Sequence, residues 1–318
     1  MSAARRSASW RTFIPLSIFA LTAASCAGSS SESADSADTG DPVILRIGAI
    51  PDQEPERLQR TYGLLSDFLE EELGDVAPGI EVEYVPVTEY DSAVTGFAVG
   101  DLDTVWFGAL TGVQARLAVD GANAVVQRDI DQEFTSVFVA RADSGIEPVA
   151  DVEGLAALAG RSITFGSESS TSGRLMPQAF LEDAGLDPDA DFTGAPGFSG
   201  SHDATLELVA SGTFEVGAVS SSTWDARVEE GVVDTAEVIE VFRTPPYFNY
   251  HWVAQPDLDE RFGDGFTDDF VEALKSLDAA DPDDAEILDL FDAESFIDTE
   301  NSNYDAVESV GRNADLIR

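Results

Sequence analysis

Three consecutive hydroxyl residues, Ser170, Thr171 and Ser172, mark the stretch of this 318-residue chain best equipped for chemistry. They lie in Phe165-Gly166-Ser167-Glu168-Ser169-Ser170-Thr171-Ser172-Gly173-Arg174, where an apolar strand-like run ends, small residues follow and a helix-like run begins. The first N–H groups of a helix lack an intrahelical acceptor and point outward with the positive end of the macrodipole. Hydroxyls beside them add donors, and the combination suits a tetrahedral oxyanion. Every donor is neutral, which fits reversible capture. The same residues serve equally as plain helix caps, a common role for Ser and Thr. A P-loop is excluded, because there is no G-x-x-x-x-G-K-[ST] pattern and no lysine nearby.

Little else points to catalysis. His202 and His251 are the only histidines and Cys26 the only cysteine. There is no G-x-S-x-G, no H-E-x-x-H, no zinc-type cysteine cluster and no EF-hand spacing. No metal and no cofactor are expected. Ser170 with His202 is the one candidate nucleophile–base pair.

The elements that must position these residues alternate. Residues 43–50, 80–87, 104–108, 134–141, 162–165, 215–219 and 238–242 read as strands. Helical patterns fall at 56–73, 91–99, 111–120, 175–184 and 204–210. The first of these carries a stripe of Leu58, Tyr62, Leu65, Phe68 and Leu69, stopped by Gly74 and Pro78-Gly79. Residues 257–318 read as several helices with acidic faces. The alternation argues for an α/β fold of parallel sheets flanked by helices. Ligands of open α/β sheets bind beyond the carboxyl ends of strands. Polar clusters stand there, at 167–172, 220–223 and 245–251.

The chain has 61 Asp plus Glu against 17 Lys plus Arg, a formal net charge of −44, and Lys275 is its only lysine. Such a surface repels nucleic acid and anionic lipid headgroups. A saline habitat and an Arg-preferring genome both fit the scarcity of lysine; the acidic excess favours salt.

Arg5, Arg6 and Arg11, then an apolar run at 13–21, then Ala23-Ala24-Ser25-Cys26 read as an export signal over 1–26. The run is too short to span a bilayer. Cys26 sits where a lipobox cysteine is acylated, although Ala23 replaces the usual larger apolar residue. A plain secretory signal is the alternative. Residues 27–42, rich in Ser, Ala, Gly and Asp, read as a flexible tether. No later segment reaches transmembrane length, so the remainder is expected to be soluble.

Ser170-Thr171-Ser172-Gly173 followed by Leu175, Met176 and Pro177 resembles the S-T-S-G-[FYR]-L-x-P signature of the phosphate/phosphite/phosphonate-binding proteins of ABC importers. The likeness covers most of residues 45–255. Pro51-Asp52, Val105-Trp106-Phe107-Gly108, Ser136-Val137-Phe138-Val139, Gly200-Ser201-His202-Asp203-Ala204 and Glu215-Val216-Gly217-Ala218 resemble further family segments in the right order. The resemblance implies a two-lobed type II periplasmic-binding-protein fold with two crossover strands, near 134–141 and 238–250. Lobe 1 is expected at 43–138 plus 243–318, lobe 2 at 139–242. It also implies a small oxyanion ligand, permease and ATPase partners, an extracytoplasmic location and membrane attachment only through the lipid anchor. A periplasmic-fold sensor and a secreted phosphoester-processing enzyme are the alternatives.

The resemblance assigns the anion to Ser170, Thr171 and Ser172, with Tyr90 and His202 matching the family's tyrosine and histidine. The second ligand tyrosine of the aminoalkylphosphonate binders falls at Phe134. Their two ammonium-holding carboxylates fall near Ser222 and near Asn249 or Tyr250. An unpaired cation in a closed cleft is costly, so a non-aminated oxyanion is expected: phosphite, phosphate, methylphosphonate or selenate. The run 244–252, with Tyr247, Tyr250 and His251, resembles a subgroup associated with selenate. It is expected to lend the cleft at least one side chain, Tyr250 among the candidates, with Ser222 beside it; hinge packing is the other reading of this run.

Overall fold

The computed structural model describes residues 43–317. The signal peptide, the tether and the acylation of Cys26 lie outside the described residues.

The strands are β1 (Val43–Ala49), β2 (Ile80–Tyr84), β3 (Thr104–Phe107), β4 (Asn123–Arg128), β5 (Ser136–Arg141), β6 (Ile163–Phe165), β7 (Gly197–Phe198), β8 (Val216–Ser220), β9 (Val238–Arg243), β10 (His251–Ala254) and β11 (Phe296–Asp298). They form two sheets, ordered β11-β4-β10-β3-β1-β2 and β7-β6-β8-β5-β9. The helices are α1 (Pro55–Leu73), α2 (Tyr90–Ala98), α3 (Ala109–Ala118), α4 (Met176–Asp183), α5 (His202–Ala210), α6 (Ser221–Glu229), α7 (Leu258–Phe262), α8 (Phe266–Ser276), α9 (Pro282–Leu290) and α10 (Asp305–Asn313).

Local sequence explains the main elements. Pro55 opens α1 with its φ preset for a helix, and Leu58, Tyr62, Leu65, Leu69 and Leu73 bury one face at spacings of three and four. In β5, Val137 and Val139 enter one core layer while Phe138 and Ala140 enter the other. That alternation is the period of a strand packed on both faces. Each fully buried side chain of this kind contributes about 1.5–3 kcal/mol.

The sheets are mixed rather than parallel. β10 runs antiparallel to β3 and β4, and β5 antiparallel to β8 and β9. Both strands arrive from the opposite lobe and so enter their sheet from the other end. β4, missed in the sequence, is a full member between β10 and β11. Its buried Ala124 and Val126 alternate, but the run is short and ends on a charged residue, Arg128.

All of β5 and β9 pair within the second sheet. The boundaries drawn from sequence therefore fall inside β5 (138/139) and at the last residue of β9 (242/243). Sheet membership changes earlier and later, across 129–135 and 244–250. These two segments hold each other: Phe134 N–H donates to Tyr247 O at 3.0 Å and Tyr247 N–H to Phe134 O at 2.9 Å. Asp131 braces them, its Oδ1 accepting from Tyr250 N at 3.0 Å while its carboxylate takes Arg128 Nε and Nη2 at 2.7 and 3.0 Å.

Candidate anion-binding site

β6 delivers the chain to Phe165, and Gly166 N–H then donates to Gly173 O at 2.9 Å, folding the intervening loop back on itself. Ser170 accepts from Gly173 N at 2.9 Å, so the capping role read from sequence is real. The helix then opens with a π turn, Thr171–Leu175, leading into α4. Leu175 N–H reaches Ser170 O at 3.0 Å. Such wide turns recur at functional sites, and here the opening amides have no intrahelical partner. Gly173 permits the close packing: a Cβ there would stand 2.9 Å from Ser170 Oγ and 3.0 Å from His202 Cε1.

The other lobe meets this turn with a second helix N-terminus. Leu110 N–H of α3 donates to Thr171 Oγ1 at 2.8 Å, and Ala109 N–H to Asn249 Oδ1 at 3.2 Å. Because its oxygen accepts, Thr171 keeps its own hydroxyl hydrogen for a guest. Asn249 likewise spends its carbonyl and keeps its amide donors: Nδ2 is buried without a partner. Tyr90, first residue of α2, lies beside Ser170 with its hydroxyl buried and without a partner of good geometry.

His202 starts α5 and is fully buried. Ser220 N–H donates to its Nδ1 at 3.3 Å, which assigns the hydrogen to Nε2. Nε2 faces Tyr250 Oη at 3.3 Å and Ser172 Oγ at 3.5 Å. Burial lowers the imidazole to about 4, so it is a neutral donor near pH 7. Tyr250 stacks on Trp106, ring centroids 5.8 Å apart, with Phe134 edge-on at 5.4 Å. Asp52 follows β1 and links the lobes, its carbonyl accepting His202 N–H at 3.0 Å. Burial raises its carboxyl to about 6, against the opposing pull of the neighbouring Tyr250 hydroxyl and the charge of Arg128.

Ser170, Thr171, Ser172, Tyr90, His202 and Tyr250 thus come together, none more than 3 % exposed. Ser222 stands at the edge, lining a cavity of about 20 Å³ with Asp52, Trp106, Arg128 and Tyr250. The neighbours of Tyr250 point elsewhere. His251 faces the lobe core, stacked on Tyr304 at 3.8 Å, as strand alternation requires. Tyr247 Oη bonds Ser136 Oγ at 2.6 Å, and that hydroxyl donates to Ser172 O at 2.8 Å. Asp52, Asn249 and Arg128 complete the surroundings. Sequence noted Asp52 only within a segment match and Asn249 only as a position near which a family carboxylate falls, and missed Arg128. Among the described residues no cluster of His, Cys, Asp or Glu could hold a metal ion.

A family model described as "ABC transporter, phosphonate, periplasmic substrate-binding protein" matches residues 47–304. The chain belongs to this family. A probable ABC transporter phosphite binding protein, PhnD1 of Prochlorococcus marinus (strain MIT 9301), is 43% identical over 278 residues, covering 87% of this chain and 92% of PhnD1. The structure of PhnD1 in complex with methylphosphonate superposes with a TM-score of 0.83 at 44% identity, over 87% of this chain and all (100%) of that one. The phosphate-import protein PhnD of Mycolicibacterium smegmatis is 29% identical over 230 residues, 69% of this chain and 66% of its own. A binding component of an ABC phosphonate transporter from Pseudomonas aeruginosa, 16% identical, shares the fold with a TM-score of 0.72 over 85% of this chain and 86% of its own. The two-lobed type II fold with two crossovers follows. The family's members are transport components, and no helix among the described residues is long and apolar enough to cross a membrane.

Proposed function

We propose that this chain captures a small tetrahedral oxyanion of the phosphonate, phosphite or phosphate class between its lobes and delivers it to a permease driven by an ATPase subunit. One observation carries the reading: neutral donors from both lobes come together out of solvent, and two of them, Tyr90 Oη and Asn249 Nδ2, are buried without a hydrogen-bond partner of good geometry. Buried polar groups in folded proteins are nearly always paired, so these two await a guest. Ser170, Thr171, Ser172 and His202 supply the remaining donors, Tyr250 packs against the guest, and Ser222 lies at the mouth. The lobes, 43–128 with 251–317 and 136–243, swing about 129–135 and 244–250. The methylphosphonate held by PhnD1 supports the ligand class.

Turnover is disfavoured by the tautomer. His202 Nε2 carries its hydrogen, so it cannot take one from Ser172, and the Ser170 oxygen is committed to Gly173 N–H. An amide at Asn249 and a hydroxyl at Ser222, in place of carboxylates, disfavour an aminated guest. Cys26 is proposed as the acylated anchor, with 27–42 as tether, holding the protein at the outer membrane face.

Calorimetric titration of the protein with methylphosphonate, phosphite, phosphate, selenate and sulfate tests the reading. Binding at about micromolar strength or tighter is expected for at least one of the first three, without turnover. Silence toward all three would overturn it, and selenate binding alone would transfer the assignment to that anion.

A further inference from the structure

The turn that presents Ser170, Thr171 and Ser172 lacks one backbone donor. Its bonds follow a π register: Leu175 N–H reaches Ser170 O, and Met176 N–H reaches Thr171 O. The next bond in that register falls to Pro177, which has no N–H. Ser172 O, in the middle of the cradle, is thus left without the helical donor that would serve it. A buried carbonyl left unpaired is costly. The missing hydrogen comes from a neighbouring strand. Ser136, which opens β5, donates its hydroxyl to Ser172 O at 2.8 Å. A hydroxyl carries one hydrogen, so Tyr247 Oη, 2.6 Å away, is the donor to Ser136 Oγ. The backbone of Ser136 is held by the same segment as Tyr247: its N–H donates to Thr244 Oγ1 and its O accepts from Thr244 N, both at 2.9 Å. Ser136, Ser172 and Tyr247 are buried, at 0, 1 and 8 % exposed.

Resting on the function proposed above, we infer that Ser136 and Tyr247 are positioning residues for the anion: their relay supplies the hydrogen that Pro177 removes and thereby aims the cradle at its guest. The path is short. Ser172 C=O and Gly173 N–H belong to one rigid peptide plane. That N–H donates to Ser170 Oγ at 2.9 Å. Anchoring the carbonyl end of the plane therefore sets the amide end, and with it the Ser170 hydroxyl. Without Ser136, Ser172 O has to turn toward another donor, and the turning plane carries Gly173 N–H away from Ser170. The relay also ties this plane to 244–250, the crossover about which the lobes swing. Tyr247 thus acts on the guest from behind the cradle, without lining it.

Titration of methylphosphonate into a Ser136→Ala protein tests this, with circular dichroism and thermal melting to check the fold. Affinity is expected to fall roughly tenfold. Adding Pro177→Ala to that variant is expected to restore most of it, because residue 177 then offers Ser172 O an N–H. Tyr247→Phe keeps the ring; alone it should weaken binding roughly threefold, and in the Ser136→Ala protein it should cost nothing further, since its effect runs through that hydroxyl. A serine that only stabilises the fold would lower the melting temperature and leave the affinity of the folded protein untouched. Full affinity in folded Ser136→Ala therefore overturns the relay and leaves the function standing. A loss that Pro177→Ala does not relieve overturns it too. Should Ser136→Ala fail to fold, full affinity in Tyr247→Phe overturns it and weakened binding there supports it. Wild-type protein that binds no oxyanion removes the function and the relay together.

Discussion

The position of one hydrogen decides what the cradle can do. His202 receives a backbone N–H on Nδ1, so Nε2 must donate toward the cleft. A second proton would put a charge into a fully buried ring, and burial holds its titration down from 6.5 to about 4. Between those values the unfolded chain binds the proton more readily than the folded one. The contribution is therefore fully present above pH 6.5 and lost as the pH falls through that window. Its size is roughly 3 kcal/mol. Urea unfolding across this range should show His202→Gln losing stability with acid less steeply than wild type, by about that amount. Parallel pH profiles for the two proteins would contradict the neutral, donating imidazole.

At the scale of elements, closure is secured outside the site as well as in it. Arg57 of α1 pairs with Glu230, just past α6, at 2.8 Å, and Glu54 N–H donates to Asp203 of α5 at 3.1 Å. Ser169 also bonds Asp91 across the lobes. These contacts need the lobes together, so they slow opening and hence release of the guest. Arg57→Ala should speed dissociation roughly two- to fivefold, the range of a partly exposed ion pair. An unchanged rate in stopped-flow measurements would remove the latch. Much of this scale was legible in the sequence. The stripe of α1, the hydroxyl run opening at Ser170 and the positions of Tyr90 and His202 are local patterns, and local patterns survive folding. What escaped depends on pairing. β4 is six residues long and amphipathic only in context, α6 has a weak apolar face, and β11 sits within a stretch that reads as helical. Arg128, Asn249 and Asp52 come from three distant segments, and only the sheet order β4-β10-β3-β1 brings them to one place. Nothing in the one-dimensional chain marks Arg128 as buried.

The whole molecule works against its own guest. A formal net charge of −44 repels an anion at long range, and even the lone Lys275 is matched by Glu272 at 2.7 Å and Asp298 at 2.9 Å. Salt confines that repulsion to about 8–10 Å. Within that distance the two opposed helix openings, at α3 and at Thr171, must outweigh it through aligned amides and hydroxyls. The account therefore places the binding energy in a few short hydrogen bonds at the centre, and those bonds can be removed. Titration of methylphosphonate into a Thr171→Ala/Ser172→Ala protein, with circular dichroism confirming the fold, tests this most directly. Two hydrogen bonds to a charged guest, at about 1.5–3 kcal/mol each, predict an affinity lower by roughly 100-fold or more. A folded double variant that binds as tightly as wild type would contradict the central claim.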